Sequence, residues 1–207
     1  MPLTLRASPS QAEIITDDTP VQILCAGRRW GKNFTGRNKL IYVATRKPGG
    51  HSWYVGPSYA KAREEYDELV SAAAGLITAC HTQPYPQITW YNGHRTGFRS
   101  LDKPKYLVGA QLDFLWLDEG AHVSGDKFRQ ALRPMVLDRN GRILITSTFY
   151  GFNWFYDYYQ MAIKGTTGYR AWLFPTWTGP AFTGENDPRL EQLRSEYPGA
   201  LWDQEIA

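Results

Sequence analysis

The chain has 207 residues, of which 43% are hydrophobic and 14% aromatic, so it can bury a sizeable core and its composition argues against disorder. The formal net charge of +3 permits a polyanionic partner but is weaker than the charge of dedicated nucleic-acid-binding domains. Cys25 and Cys80 are far apart, and the sequence contains neither a membrane-length apolar run nor a signal-peptide core. We therefore expect one large, soluble, intracellular domain in a reducing compartment.

The N-terminal segment predicts a short helix over Gln11–Ile15, with Ser8-Pro9-Ser10 supplying a serine cap. Gln11 is a candidate contact for an adenine base, because its amide offers a donor and an acceptor to the purine edge. The alternative is a solvated helix residue.

The stretch from Val21 to Thr35, VQILCAGRRWGKNFT, predicts a strand, a loop and the start of a helix. In a phosphate-binding loop, backbone N–H groups surround the phosphates and a lysine reaches the β and γ phosphates. The pattern therefore indicates a nucleotide site with Lys32 as its lysine. The candidate contacts in the loop are Ala26, Gly27, Trp30, Gly31, Lys32, Asn33 and Phe34.

Two residues depart from the usual phosphate-loop pattern. Ala26 replaces the first glycine, which is a mild change because Gly27 follows at once. Asn33 replaces the Ser or Thr whose hydroxyl is a Mg²⁺ ligand. An amide oxygen is also a hard ligand, but it lies further from the backbone, so we expect looser or water-mediated Mg²⁺ binding. The alternative for the whole stretch is a glycine-containing turn with two surface arginines.

Periodicity predicts the remaining elements. Helices are expected at 34–46, 59–74, 127–136, 154–163, 189–196 and 200–206, and strands at 51–56, 142–146 and 169–174. Segments 87–91 and 96–99 predict a hairpin around Asn92-Gly93. The aromatic stretch from Phe149 to Tyr159 is better explained by core packing than by stacking on bases.

The apolar run that starts at Asp113 ends in two acids, Asp118 and Glu119. Continuous apolar runs are typical of strands buried on both faces, and ligands of open α/β sheets collect beyond the carboxyl ends of such strands. Asp118 is therefore a candidate Mg²⁺ ligand, and Glu119 is a candidate base for the attacking water. The alternative is an acidic turn or a pair of helix-capping carboxylates.

Ser147 and Thr148 follow the strand predicted at 142–146. Small hydroxyl side chains at a strand end can hydrogen-bond a γ-phosphate or its attacking water. They can equally cap the next helix, and the sequence alone leaves both interpretations open.

The ordered set Gln11, AGRRWGKN, HSWYVGPSYAKARE, LDEGAH and TSTFYGFNWF resembles the N-terminal ATPase domain of the large terminase subunit of tailed bacteriophages, over nearly the whole chain. The resemblance implies an α/β fold of the additional-strand (ASCE) P-loop NTPase type, with a mainly parallel central sheet flanked by helices. By position, Lys32 is similar to the Walker A lysine, Arg28 or Arg29 to a phosphate-sensing arginine, and Gln11 to the adenine-side glutamine. Asp118, Glu119 and Ser147-Thr148 resemble the Mg²⁺ carboxylate, the catalytic base and the coupling motif.

The resemblance also implies ATP and Mg²⁺ as cofactors, and double-stranded DNA, a portal protein and a small terminase subunit as partners. Such proteins act as homo-oligomeric rings on procapsids in the host cytoplasm, with no membrane, and an isolated domain is expected to be a monomer. Residues 1–207 would form one ATPase domain, with about the last 20 to 30 residues a linker or lid. Family members continue into an RNase H-like nuclease, so we expect a fragment without nuclease activity.

Departures from the family pattern leave other functions open. Leu107-Val108-Gly109 lacks the arginine that many relatives direct at a neighbouring subunit's nucleotide, and Arg99, Lys103 and Lys105 are substitute candidates. Phe149 replaces a frequent proline. One alternative is a nucleotide-binding scaffold or regulator with impaired hydrolysis, supported by Asn33 and Val108. Another is a helicase-like ATPase, since fold does not fix function.

Overall fold

The computed structural model describes residues 6–102, 107, 109–197, 199, 202 and 206. Eight strands in this part of the chain form one sheet in the order β3-β4-β5-β2-β6-β7-β1-β8. The strand β4 is antiparallel to both of its neighbours, and all other adjacent strands are parallel. The strands are β1 (Val21–Ala26), β2 (His51–Gly56), β3 (Ile77–His81), β4 (Gln87–Trp90), β5 (Arg95–Ser100), β6 (Phe114–Asp118), β7 (Arg142–Ser147) and β8 (Tyr169–Phe174).

Helices cover both faces of this sheet, and each face has its own apolar cluster. One cluster joins α2 and α3 to the sheet, and the other joins α5 and the segment that follows α4. The helices are α1 (Pro9–Thr16), α2 (Lys32–Arg46), α3 (Tyr59–Ala73), α4 (Gly125–Lys127), α5 (Trp154–Ile163) and α6 (Pro188–Glu196). A π-helical turn (Phe128–Leu132) and a 3₁₀ turn (Arg133–Val136) continue α4.

The central strands form where the sequence is continuously apolar. Every residue of β1 and of β6 is buried, as expected for parallel strands covered on both faces. Helix α2 packs close to β6, because a Cβ atom on Gly36 would lie 2.2 Å from the Trp116 ring. This close packing fixes the first turns of α2 relative to the end of β6, where the two acids lie.

The predicted α/β fold with a mainly parallel sheet is confirmed, and the predicted bounds of β2, α5 and β8 match those observed. The sequence did not predict β3, an edge strand whose side chains are exposed or half-buried and which therefore lacks a buried apolar face. The predicted helix over 127–136 is an irregular run that begins at Gly125 and changes its hydrogen-bonding pattern twice. The predicted helix over 200–206 lies largely outside the described residues.

No helix among the described residues is long and apolar enough to cross a membrane. Cys25 and Cys80 are both free thiols, the first buried and the second exposed.

Candidate active site

A cavity of about 1070 Å³ lies at the carboxyl ends of β1, β6 and β7. It brings together the phosphate loop, the acidic end of β6, the residue after β7 and the C-terminal segment of the chain. The lining residues are Arg28, Arg29, Gly31, Lys32, Asn33, Phe34, Pro57, Glu119, His122, Thr148, Ala181, Phe182, Arg189 and Leu193. The loop and the acidic strand end, which are far apart in sequence, therefore share one cleft, as predicted.

The loop between β1 and α2 has the backbone geometry of a phosphate-binding turn. Gly31 caps α2 with φ of 106°, a conformation that favours glycine, and α2 begins at Lys32. The Lys32 Nζ donates to the carbonyl oxygens of Ala26 at 2.7 Å and Gly27 at 3.3 Å. The ammonium is thus held against the loop at the N-terminus of α2, where an anion is also stabilised by the helix.

Gly27 is fixed by the segment that follows β8. A Cβ atom at this position would lie 2.3 Å from the Oγ1 of Thr176, which donates a hydrogen bond of 2.9 Å to the carbonyl oxygen of Arg28. The glycine therefore allows the C-terminal segment to close over the loop. The side chains of Arg28 and Arg29 are exposed and line the cleft, and Arg29 adopts a left-handed backbone with φ of 61°.

Trp30 and Gln11 were both predicted to contact the nucleotide. The Trp30 ring is buried, stacks on Phe174 with 4.6 Å between ring centroids, and donates to Thr178, so its side chain does not line the cleft. Gln11 is not a solvated helix residue, because it is 1% exposed and its Oε1 accepts from the backbone N–H of Ser8. Its Nε2 lies 2.7 Å from the position of a Cβ on Gly31, so it packs against the loop, and its adenine role stays a prediction.

Asp118 is 3% exposed and, unlike Glu119, does not line the cleft. Its carboxylate accepts hydrogen bonds from the Tyr54 hydroxyl at 3.1 Å and from the Thr146 Oγ1 at 2.9 Å. Burial, together with the nearby charge of Glu119, raises the pKa of Asp118 to about 6. A cation bound here would offset both the desolvation of the buried Asp118 carboxylate and its repulsion by Glu119.

Glu119 lines the cleft and has φ of 52°, a strained backbone for a residue other than glycine. Its Oε2 accepts a 3.3 Å hydrogen bond from the Ser147 Oγ, which in turn accepts from the backbone N–H of Ala121. Ser147 therefore holds the candidate base in place, whereas Thr148 itself lines the cleft.

Asn33 lines the cleft. One turn further along α2, the Nε of Arg37 donates to the Glu65 carboxylate of α3 at 2.5 Å and its Nη2 donates to the same group at 3.2 Å. Burial raises the pKa of Glu65, although the hydrogen bonds and positive charge of Arg37 act in the opposite direction. Arg37 and Glu65 thus form an ion pair between α2 and α3.

The donor chemistry of this region fits Mg²⁺. Among the described residues no group of three or more His, Cys, Asp or Glu side chains is arranged to hold a metal ion. Mg²⁺ in nucleotide sites is usually held by one or two protein oxygens together with phosphates and water, so such a cage is not required. Asp118 and the amide oxygen of Asn33 supply hard oxygen donors of this kind.

Arg99 does not reach the cleft. Its guanidinium lies 4.7 Å from the Trp53 ring centroid and 4.3 Å from that of Tyr85, between the two rings. This packing disfavours Arg99 as a cation for a neighbouring subunit's nucleotide. The other substitute candidates, Lys103 and Lys105, lie outside the described residues, as does Val108.

The sequence reasoning missed three groups of site residues. Tyr54 and Thr146 hold Asp118, and Thr146 could have been found only from the strand order, because it is the β7 residue in register with Asp118. Glu65 was not predicted as a buried residue, and it is 3% exposed. The residues of the C-terminal segment that line the cleft lie in a Gly-, Pro- and Thr-rich region without a recognisable motif.

The family model described as terminase large subunit, T4likevirus-type, N-terminal, matches residues 23–207. The terminase large subunit of Thermus virus P23-45 is 29% identical over 164 residues, which are 70% of this chain and 34% of that protein. That of Escherichia phage T5 is 29% identical over 171 residues, 81% of this chain and 37% of that protein. The chain thus spans about a third of the length of these relatives.

Solved structures share the fold at low sequence identity. The ATPase domain of the Thermus phage P74-26 large terminase has a TM-score of 0.79 at 22% identity, covering 99% of this chain and 94% of that chain. The large terminase of a thermophilic bacteriophage in complex with ADP has a TM-score of 0.77 at 14% identity, covering 97% of this chain and 52% of that chain.

Proposed function

The chain belongs to the terminase large subunit family of the T4-like-virus type, to its N-terminal part, and from this premise we propose that it hydrolyses ATP with Mg²⁺ to move double-stranded viral DNA into procapsids. The observation that carries the proposal is the convergence of Lys32, Asn33 and Glu119 on one cleft, where the buried Asp118 immediately precedes Glu119 in the chain. Structural neighbours described as a terminase ATPase domain and as ADP and ATP-γ-S complexes support a nucleotide as the ligand.

The residues of the cleft divide the chemistry between them. Lys32 and the backbone N–H groups at the start of α2 hold the β and γ phosphates, and Arg28 or Arg29 balances the charge that develops during transfer. Asp118 and Asn33 would hold Mg²⁺, which would neutralise negative charge on the phosphates. Glu119 orients the attacking water and accepts its proton, while Ser147 keeps the carboxylate aimed at the cleft.

The wider role follows from family membership and extends beyond the residues of this chain. We propose that the domain works in a homo-oligomeric ring on a procapsid in the host cytoplasm, with a portal protein and a small terminase subunit as partners. The isolated domain should be a monomer with weak turnover, because a cation supplied by a neighbouring subunit can contribute orders of magnitude in rate. The Gly-, Pro- and Thr-rich segment that lines the cleft would act as its lid.

A steady-state ATPase assay on two variants tests the proposal. Lys32→Ala should lose turnover together with nucleotide affinity, whereas Glu119→Gln should lose turnover and keep affinity. Glu64→Gln on the exposed face of α3 is the matched control and should behave as the wild type. Turnover that survives in either of the first two variants would rule out the mechanism.

The position of Asn33 in the cleft, where the usual phosphate loop has a hydroxyl residue, also favours a second candidate, a nucleotide-binding scaffold or regulator with impaired hydrolysis. In that case the amide would be a poorer Mg²⁺ ligand than a hydroxyl group. Asn33→Thr should then raise turnover at least tenfold at unchanged ATP affinity, which corresponds to a barrier about 1.4 kcal/mol lower. An unchanged or lower turnover would exclude this candidate.

A further inference from the structure

We propose that Arg189, near the start of α6, binds a phosphate group of the nucleotide. The phosphates would then connect the C-terminal segment of the chain to the phosphate loop. Arg189 belongs to no motif that the sequence analysis recognised. The inference rests on the proposed function, because it assumes that a nucleotide binds in this cleft.

The guanidinium of Arg189 is held in place by hydrogen bonds within the C-terminal segment. Its Nε donates to the Oδ1 of Asp187 at 2.8 Å, and its Nη2 donates to the Oδ2 of Asp187 and to the carbonyl oxygen of Ala181, each at 2.6 Å. Its Cζ lies 5.0 Å from the centroid of the Phe182 ring. A guanidinium has five N–H donors, so the two N–H groups of Nη1 are left without a hydrogen bond to the described residues. The side chain is thus fixed and still has donors to offer.

The cleft is bordered by the guanidinium of this ion pair and not by its carboxylate. Arg189 lines the cleft together with Ala181 and Phe182, whereas Asp187 does not. The Arg189 side chain is 61% exposed, and that of Asp187 is 3% exposed. Because the carboxylate is covered, a ligand in the cleft meets N–H donors at this position and not a second negative charge.

The segment that carries Arg189 is attached to the phosphate loop itself. The Thr176 Oγ1 donates to the carbonyl oxygen of Arg28 at 2.9 Å, and the Thr178 Oγ1 accepts from the Trp30 ring N–H at 3.0 Å. Arg189 follows in the same stretch of chain and lines the same cleft as the loop. A chain of phosphates that contacts both would therefore hold the segment against the loop.

The charge of the cleft favours a phosphate as the ligand of Arg189. Besides Arg189 the lining includes Arg28, Arg29 and Lys32, whereas Glu119 is the one acid among the described residues that line it. In a nucleotide the phosphates carry the negative charge, while the base and the ribose are neutral. The planar N–H groups of a guanidinium match phosphate oxygens in geometry and in charge. We therefore expect Arg189 to contact a phosphate and not the base.

Calorimetry in EDTA with two probes, ADP and inorganic triphosphate, tests this assignment. Arg189→Gln should weaken the binding of both probes about tenfold, because both lose a charge-assisted hydrogen bond to a phosphate. Arg194→Gln is the matched control on α6. Arg194 also has an acidic partner, Glu185 at 3.5 Å, and lies 4.9 Å from the centroid of the Trp202 ring, but it does not line the cleft. Its variant should keep both affinities within about twofold of the wild type.

Asp187→Asn separates ligand binding from a purely structural role of the ion pair. Asparagine can still cap α6 and accept from Arg189, but it removes the negative charge beside the guanidinium. The affinity for triphosphate should therefore stay the same or rise. A loss equal to that in Arg189→Gln would mean that the pair acts only through the structure of the segment, and it would overturn the inference.

The two probes also distinguish the parts of the nucleotide. A loss in Arg189→Gln that is confined to ADP would assign Arg189 to the base or the ribose and overturn the inference, as would unchanged affinity for both probes. If circular dichroism shows this variant unfolded, Arg189→Lys replaces it. Lysine keeps the charge but lacks the planar fork, so both affinities should still fall about threefold or more, and wild-type affinities would contradict the inference. A wild-type protein that binds neither probe would overturn the proposed function as well.

Discussion

Helix α2 carries two buried lysines, two turns apart, whose ammonium groups are bound in similar ways. Lys32 is 8% exposed and donates to the carbonyl oxygens of Ala26 and Gly27 in the phosphate loop. Lys39 is fully buried and donates to three carbonyl oxygens at the end of α1, those of Ile14 at 2.8 Å, Ile15 at 3.4 Å and Asp17 at 2.7 Å. By burial and bonding alone the two residues can hardly be told apart.

The difference lies in what each lysine faces. Lys32 borders the cleft, whereas Lys39 closes the C-terminal end of α1, where four carbonyl groups have no partner within the helix and a cation is favourable. Burial lowers the pKa of Lys39 to about 8, against the attraction of Asp17. A strongly perturbed pKa is a common indication of a functional site, and here it marks the structural lysine. The position of an ammonium relative to the cleft is thus a better guide to function than its burial or pKa.

The largest effect expected from this comparison is a loss of catalysis in the variant Lys32→Ala. Turnover should fall about a thousandfold, equivalent to about 4 kcal/mol of transition-state stabilisation, because a preorganised cation in contact with the phosphates is lost. The free energy of unfolding should change by less than about 1 kcal/mol, because water in the cleft can reach the freed carbonyl groups. ATPase assays and urea titrations on the same preparations measure both. If Lys32→Ala were destabilised as much as Lys39→Met, the distinction between a catalytic lysine and a structural lysine would be wrong.

Lys39→Met should show the reverse pattern. The methionine fills a similar volume but removes the ammonium donor from the buried carbonyl groups of Ile14 and Ile15, whereas the carbonyl of Asp17 keeps the Gln22 Nε2 as a donor. The protein should therefore lose about 2 to 4 kcal/mol of unfolding free energy. Turnover per folded molecule should stay within about threefold of the wild type, since no phosphate contact is changed. Lys61→Met is the matched control on α3, because Lys61 is 51% exposed and should cost less than about 0.5 kcal/mol. A Lys39 variant as stable as this control would show that the α1 carbonyls need no cation.

The contrast between the two lysines also shows what could be predicted from the sequence. Lys32 stands in a motif of local spacing, a strand followed by a glycine-containing turn and a helix, and its place was predicted. No partner could be predicted for Lys39, because its partners lie more than 20 residues earlier and meet it only when α1 packs on α2. The local motif could thus be recognised in the sequence, whereas the long-range hydrogen bonds to the α1 carbonyl groups could not.

The sheet and the two acids show the same difference between local patterns, which could be predicted, and long-range contacts, which could not. Parallel core strands were predicted because their residues are continuously apolar, and Asp118 and Glu119 were predicted because they end one of these strands. The hydroxyls of Tyr54 and Thr146 that hold Asp118 come from neighbouring strands, so they depend on a strand order that no local pattern encodes. The edge strand β3 was missed for a different reason, since it buries no full face.

Gly36 lies between the two lysines on α2, and its replacement tests whether packing of α2 on β6 matters for both stability and catalysis. A Cβ atom there would lie 2.2 Å from the Trp116 ring, so Gly36→Ala should move α2 away from β6 and cost about 1 to 3 kcal/mol of unfolding free energy. Trp116 donates to the Thr146 hydroxyl that holds Asp118, so turnover should fall as well. Gly75→Ala, where a Cβ meets nothing within 4 Å, is the control for urea titrations and ATPase assays. An unchanged unfolding free energy in Gly36→Ala would show that the contact with β6 can relax at no cost.

The smallest effect is a pH dependence that only Lys39 should produce. Because the folded pKa of about 8 lies below the ordinary lysine value of 10.5, the unfolded chain binds more protons than the folded chain between these values. The unfolding free energy therefore rises with pH across this window, since the folded protein can release the proton whose burial is unfavourable. Relative to Lys39→Met, the wild type should gain about 1 kcal/mol between about pH 8 and pH 9. Urea titrations of both proteins at the two pH values measure this difference, from which the titration of other groups cancels. A difference that stays constant, or that shrinks as the pH rises, would mean that the α1 carbonyls stabilise the charged ammonium of Lys39 enough to offset its burial.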